Sequence, residues 1–145
     1  MPTELSPHFT LEELTVTNTG LNNAPDATAL ARLKAVAAKM EDVRTLLGGK
    51  PITINSAYRN PQVNAAVGGV SNSAHALGYA VDFTCAAFGS PYDVCKKIAA
   101  SSIQFDQLIH ERRAWVHISF DSSRNRRQLL TLPVTGSEYQ SGILQ

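Results

Sequence analysis

His75 and Asp82 occur together in Ser73-Ala74-His75-Ala76-Leu77-Gly78-Tyr79-Ala80-Val81-Asp82, a stretch otherwise crowded with small and apolar residues. A second histidine, His117, lies in Trp115-Val116-His117-Ile118-Ser119-Phe120. Neutral imidazoles and a carboxylate are natural zinc ligands, and two His with one Asp leave a fourth tetrahedral position open for water. Such a donor set also accepts cobalt, nickel or copper. Each residue alone is more often a surface or hydrogen-bonded side chain than a ligand, so the grouping depends on whether their elements adjoin. Glu111 belongs to the same question, because it precedes His117 across a polar turn at Arg112-Arg113. A three-residue loop there pairs Glu111 with Trp115 and leaves His117 on its diagonal, on the same face. A general base would then lie near the open metal position. A two-residue turn instead sets Glu111 opposite Ala114, too far from His117 to serve it, and Glu111 becomes an ordinary solvated turn acid.

These side chains need elements to hold them. Alternate residues of a strand share a face. Residues 79–84 read as a strand with Ala80 and Asp82 on one face and Val81 and Phe83 on the other. Gly78 permits the turn that brings His75 back over the start of that strand. Residues 105–120 read as two strands around the Arg112-Arg113 turn, with Val116, Ile118 and Phe120 facing the core and Trp115, His117 and Ser119 on the opposite face. His110 has the parity opposite to Glu111 and His117, which argues against a metal role, and His8 sits exposed before the first helix.

The rest of the chain supplies the frame. Thr10 and Glu13 have capping-box spacing at the start of Leu11-Glu12-Glu13-Leu14. Leu30, Leu33, Ala37, Met40, Val43 and Leu47 recur on one face of a helix predicted over 26–47, closed by Gly48-Gly49. A β-branched strand over 51–55 runs toward Tyr58-Arg59, and Asn60-Pro61 opens a short helix to about residue 67. A loop over 68–74 follows. Ser90-Pro91 starts another helix, which turns Val94, Cys95, Ile98 and Ala99 inward. Residues 128–132 form a further candidate strand, and the tail from about residue 134 is expected to be flexible. Interspersed helices and strands with hairpin pairing predict an α+β fold: one domain over 1–145, with helices packed on an antiparallel sheet.

Composition sets the outer limits. The 145 residues suit one compact domain. A net charge of +1 supplies no basic field for nucleic acid. Cys85 and Cys95 are too few for a disulfide scaffold or a four-thiolate zinc site, and they are expected to be two buried thiols. No apolar run approaches a membrane span, and the N-terminus does not read as a signal peptide. Arg112, Arg113, Arg124, Arg126 and Arg127 make the last third locally basic, a solvated surface by default that could also help hold an anionic polymer.

Taken in order, Ser56-Ala57-Tyr58-Arg59-Asn60-Pro61, then Ser73-x-His75-x-x-Gly78-x-Ala80-x-Asp82, then Trp115-x-His117 resemble the zinc D-Ala-D-Ala carboxypeptidase family. That family includes bacterial cell-wall carboxypeptidases and bacteriophage endolysins, and its fold is shared with the N-terminal domain of hedgehog proteins. The resemblance implies that His75, Asp82 and His117 bind Zn2+, that Arg59 faces a peptide carboxylate or carbonyl, and that Ser73 and Trp115 support the site. Several members place the catalytic acid where Ala114 stands here. Glu111 instead matches the spacing of hedgehog-like and phage-type members, so the base role is carried to it. The implied activity is hydrolysis of peptidoglycan stem peptides, at D-Ala-D-Ala or at an internal bond such as L-Ala-D-Glu. The rival expectation is a catalytically silent zinc-dependent module of the same fold. The expected setting is a monomer with a peptidoglycan partner, made in a phage host's cytoplasm and released to the wall, or carried on the virion.

Overall fold

The computed structural model describes residues 3–17, 19–69, 74–121 and 123–145. A small hairpin of β1 (Glu4–Ser6) and β2 (Phe9–Thr10) leads into α1 (Leu11–Leu14). The long helix α2 (Ala27–Leu46) is followed by β3 (Thr53–Ser56), α3 (Pro61–Ala66), α4 (Ala74–Leu77) and β4 (Ala80–Thr84). Helix α5 (Pro91–Ala99) then precedes β5 (Gln107–Glu111), β6 (Trp115–Ser119), β7 (Gln128–Leu132) and β8 (Gln140–Ser141). The fold is α+β.

Local chemistry sets the element boundaries. Thr10 and Glu13 form the expected capping box on α1, and Ser90 and Asp93 form another on α5. Asp26 caps α2 by accepting from the Ala29 amide at 2.8 Å, and Asn60 caps α3 by accepting from Val63 at 2.9 Å. Such caps satisfy amides that have no partner inside the helix. Helix α2 buries Ala29, Leu33, Val36, Ala37, Met40 and Val43. Together with Val94, Cys95 and Ile98 of α5, these side chains meet Val81, Phe83, Leu108, Val116 and Ile118 from one face of the sheet. Cys85 and Cys95 are both free and buried, and burial pushes the Cys95 thiol up to about 12.

The six-stranded sheet has the order β3-β4-β6-β5-β7-β8. All its pairs are antiparallel except β5 with β7, which is parallel. The expected all-antiparallel sheet is therefore corrected to a mixed one. Both edges of β6 are already taken by β4 and β5, and the chain adds β7 at the free edge of β5. Backbone bonds from Arg127 to Phe105 and from Gln128 to Asp106 bring it in beside the start of β5. It then runs in the same direction. The segment after residue 134, expected to fray, also returns to the sheet: β8 pairs with β7, and Thr131 Oγ1 donates to the Gly142 carbonyl while accepting from the Leu144 amide, both at 2.8 Å.

Candidate metal centre

Strand register assembles the site on the face opposite the helices. Asp82 on β4 is the direct partner of His117 on β6, and His117 is the direct partner of Ile109 on β5. Ile109 in turn faces Leu130 on β7. Paired residues project on the same side of a sheet. One row thus runs Asp82, His117, Ile109, Leu130 across four strands. In the next row Glu111 is the partner of Trp115, which fixes a three-residue turn at Arg112-Arg113-Ala114. Arg112 and Arg113 take left-handed backbone angles, φ 50 and 60. The Arg112 amide donates to the Leu132 carbonyl at 2.7 Å and the Ala114 amide to the Glu111 carbonyl at 2.8 Å.

His75 reaches the row from α4, a one-turn helix where the sequence suggested only a loop and turn. Its exit is closed by Gly78 at φ 82, a backbone conformation that costs glycine little. His75 Nδ1 donates to the Ala57 carbonyl at 2.6 Å. That bond fixes the ring and turns Nε2 toward Asp82 Oδ2, 3.2 Å away. His117 Nδ1 lies 2.9 Å from the other oxygen, Oδ1. The three donor atoms all fall within 4.8 Å of one another, the single such group among the described residues. With Nδ1 of His75 committed as a donor, neutral Nε2 presents a lone pair to a carboxylate oxygen. Two acceptors so close repel unless a proton or a metal ion stands between them, and a divalent metal would serve all three donors at once. The residues present therefore fit a zinc ion.

In the metal-free site burial pushes the Asp82 carboxyl up, but the hydrogen bonds and charge that His117 and His75 supply when they carry protons outweigh it and hold the group far below the usual carboxylate range. Glu111 is only 8 % exposed. Its carboxyl is pushed above the ordinary value by burial, with Asp82 adding to the rise and His117 and Arg112 opposing it. Burial lowers the Arg59 guanidinium, the Asp82 charge opposing, and Arg59 Nε is a buried donor without a protein partner. The Trp115 indole Nε1 is the other such atom among the described residues.

Arg59, His75, Asp82, Glu111, Trp115 and His117 line one cleft of about 430 Å³. Ser73 lies outside the described residues. His110 points to the far face, where Nδ1 donates to the Leu144 carbonyl at 2.7 Å. The loop carrying Arg59 is tied down by Asn23, whose side chain donates to the Tyr58 carbonyl at 2.8 Å and accepts from the Asn60 amide at 2.8 Å. Sequence reasoning did not single out Asn23, nor Gln107, Ile109, Leu130 and Tyr139, which complete the cleft. Strand parity with Glu111 could have found Gln107 and Ile109. Nothing local marks Tyr139. Its phenol is pushed up by burial and by the charges of Glu111 and Asp82.

Comparison with known proteins gives two findings. The profile of the Peptidase M15 family matches residues 7–119. The zinc D-Ala-D-Ala carboxypeptidase of Streptomyces albus G is 38% identical to this chain over 77 residues. That alignment covers 52% of this chain and 30% of the relative, so the chain matches less than a third of that protein's length.

Proposed function

From the premise that this chain belongs to the peptidase M15 family, we propose that it is a zinc-dependent peptidase acting on the stem peptides of bacterial peptidoglycan. The observation that carries the reading is the convergence of His75 Nε2, the Asp82 carboxylate and His117 Nδ1 within 4.8 Å, at the wall of an open cleft. A similar zinc D-Ala-D-Ala carboxypeptidase supports the substrate class.

In this reading His75, Asp82 and His117 hold the metal. Zinc bound there supplies a Lewis acid that polarises a carbonyl and lowers the pKa of a water toward ~7. Asp82 contributes the anionic ligand, and the Ala57 carbonyl fixes the His75 tautomer from behind. Glu111 is the general base: its buried carboxyl, raised in pKa, takes the proton of the attacking water and returns it to the leaving amine nitrogen. Arg59 offers a buried N–H to the oxygen of the substrate, either a carboxylate or the scissile carbonyl as charge develops on it. Trp115 lines the cleft beside the ligand set. The terminal D-Ala-D-Ala bond and an internal bond, as an endolysin would cut, are the two hydrolyses this assignment allows.

Digestion of purified peptidoglycan by the zinc-loaded protein, read by mass spectrometry, tests the proposal and identifies the bond. Released D-Ala or a shortened stem peptide, abolished by chelation, is the expected result. Intact stem peptides after prolonged digestion refute it.

A further inference from the structure

The cleft is chemically lopsided. On the β4 side of the row are Asp82 and the two histidines; on the β7 side the floor becomes Ile109 and then Leu130. Tyr139 stands at the rim of this apolar half, 52% exposed, on the segment between β7 and β8. That segment is anchored at both ends. Arg112 Nη1 donates to the Val134 carbonyl at 3.2 Å before it, and β8 pairs Gln140 with Thr131 directly after it. The tyrosine is therefore held over the cleft by the sheet itself. Toward the other end, Ala74 and Gln107 also line a second recess that carries Asp106, Arg124 and Arg126. A peptide lying across the metal row would meet aliphatic and aromatic carbon on one side and charged side chains on the other.

We propose that Ile109, Leu130 and Tyr139 form an apolar subsite that seats the aliphatic side chain of the substrate residue next to the scissile bond, with Tyr139 as its outer wall. The inference rests on the peptidase reading and deepens it, because it names which part of the substrate this half of the cleft selects. Two physical facts support it. Ile109 is itself already covered, but half-buried Leu130 and the exposed Tyr139 ring leave apolar surface beside the metal-ligand row that carbon of a ligand can cover. The anchored ring of Tyr139 also supplies contact area without having to be ordered on binding. Its selecting feature is the ring, so the hydroxyl contributes little.

Trp115 is the single tryptophan of the chain and lines the same cleft, so its fluorescence reports occupancy without any turnover. The zinc-loaded Glu111→Gln protein is titrated with the stem pentapeptide L-Ala-D-Glu-L-Lys-D-Ala-D-Ala and with an analogue in which every alanine is glycine. The alanine peptide is expected to bind at least about fourfold more tightly, the effect of one buried methyl. Adding Tyr139→Ala is expected to weaken the alanine peptide about tenfold and to shrink its advantage over the glycine peptide, whereas Tyr139→Phe stays within twofold. Equal affinity of the two peptides, or a Tyr139→Ala protein that binds both as before, overturns the subsite and leaves the peptidase reading standing. No fluorescence change or calorimetric heat with either peptide overturns both.

Discussion

Glu111→Gln separates what this carboxylate does for the reaction from what it costs the fold. The side chain is buried at the end of β5, and burial raises its carboxyl pKa above the ordinary glutamate value. A folded-state pKa above the unfolded one contributes stability that is present below the unfolded pKa and lost as pH rises through the folded pKa. At neutral pH, where the unfolded chain has this carboxyl ionised, Glu111 in the metal-free fold therefore costs stability relative to acid pH. Gln keeps the shape and removes the ionisable group, so metal-free Glu111→Gln should melt no lower than the parent at pH 7. The advantage should disappear at acid pH, where both side chains are neutral. Catalysis should respond in the opposite direction. Removing a general base lowers turnover by about 10²–10⁴, or about 3–5 kcal/mol in barrier. The assay is a paired one: calorimetric melting of the metal-free proteins across pH, and initial rates of stem-peptide hydrolysis by the zinc-loaded proteins, with zinc content measured on both. Turnover within threefold of the parent at equal zinc content removes Glu111 from the base role. A clearly lower melting temperature at neutral pH would refute the argument that burying this carboxyl costs stability there.

Four further substitutions read other parts of the structure. His75→Ala and His117→Ala should each leave less than half an equivalent of zinc after dialysis, by elemental analysis, while far-UV circular dichroism is retained; full zinc occupancy would show that these residues are not ligands. Asn23→Ala deletes the amide that ties Thr15, Tyr58 and Asn60 together at a site 7% exposed. It should lower stability by about 2–3 kcal/mol in urea and raise KM through the Arg59 loop; an unchanged midpoint refutes the tether. Asp106 is 5% exposed and accepts from Arg126 Nε at 2.7 Å, with Arg124 at 3.5 Å. Burial alone would raise its carboxyl pKa, but these arginine contacts hold it below the usual value, so its stabilisation is present above the unfolded pKa and fades as pH falls through the folded one. Asp106→Asn should therefore flatten the acid-side decline of the melting temperature, and an unaltered slope would discount the pairing.

How much of this was legible in the sequence differs from residue to residue, for physical reasons. Parity on single strands is a local property, so the shared face of Asp82 and Ala80, and of His117 and Trp115, follows from the two-residue repeat alone. Capping is local too, which is why Thr10, Asn60 and Ser90 mark helix starts so clearly. What pairs with what is not local. That Asp82 would lie directly opposite His117 depends on β6 entering between β4 and β5, and the parallel addition of β7 depends on which edge was left free. His75 sits on a helix of one turn, too short for any periodicity to announce it. Tyr139 joins the cleft only because β8 returns to β7, a pairing of two residues whose sequence, Gln140-Ser141, has no strand character.

The β5–β6 turn is where sequence and chemistry meet most directly. A two-residue turn would suit Asn-Gly, which takes left-handed angles at little cost. The chain instead places Arg112 and Arg113 in the left-handed region, where a side chain is unfavourable. The structure offsets that cost by attaching the turn to the next strand: the Arg112 amide reaches Leu132, and its guanidinium reaches the carbonyls of Pro133 and Val134. These bonds do two things at once. They hold the loop at three residues, which sets Glu111 opposite Trp115 with His117 on its diagonal. They also start the segment that carries Tyr139 over the cleft. Shortening the loop by one residue would shift the strands against each other and turn either Glu111 or His117 to the helix-covered face. The arginines of this turn, which composition alone reads as a solvated basic surface, thus fix the geometry between the proposed base, the proposed metal ligands and Tyr139 at the rim of the cleft.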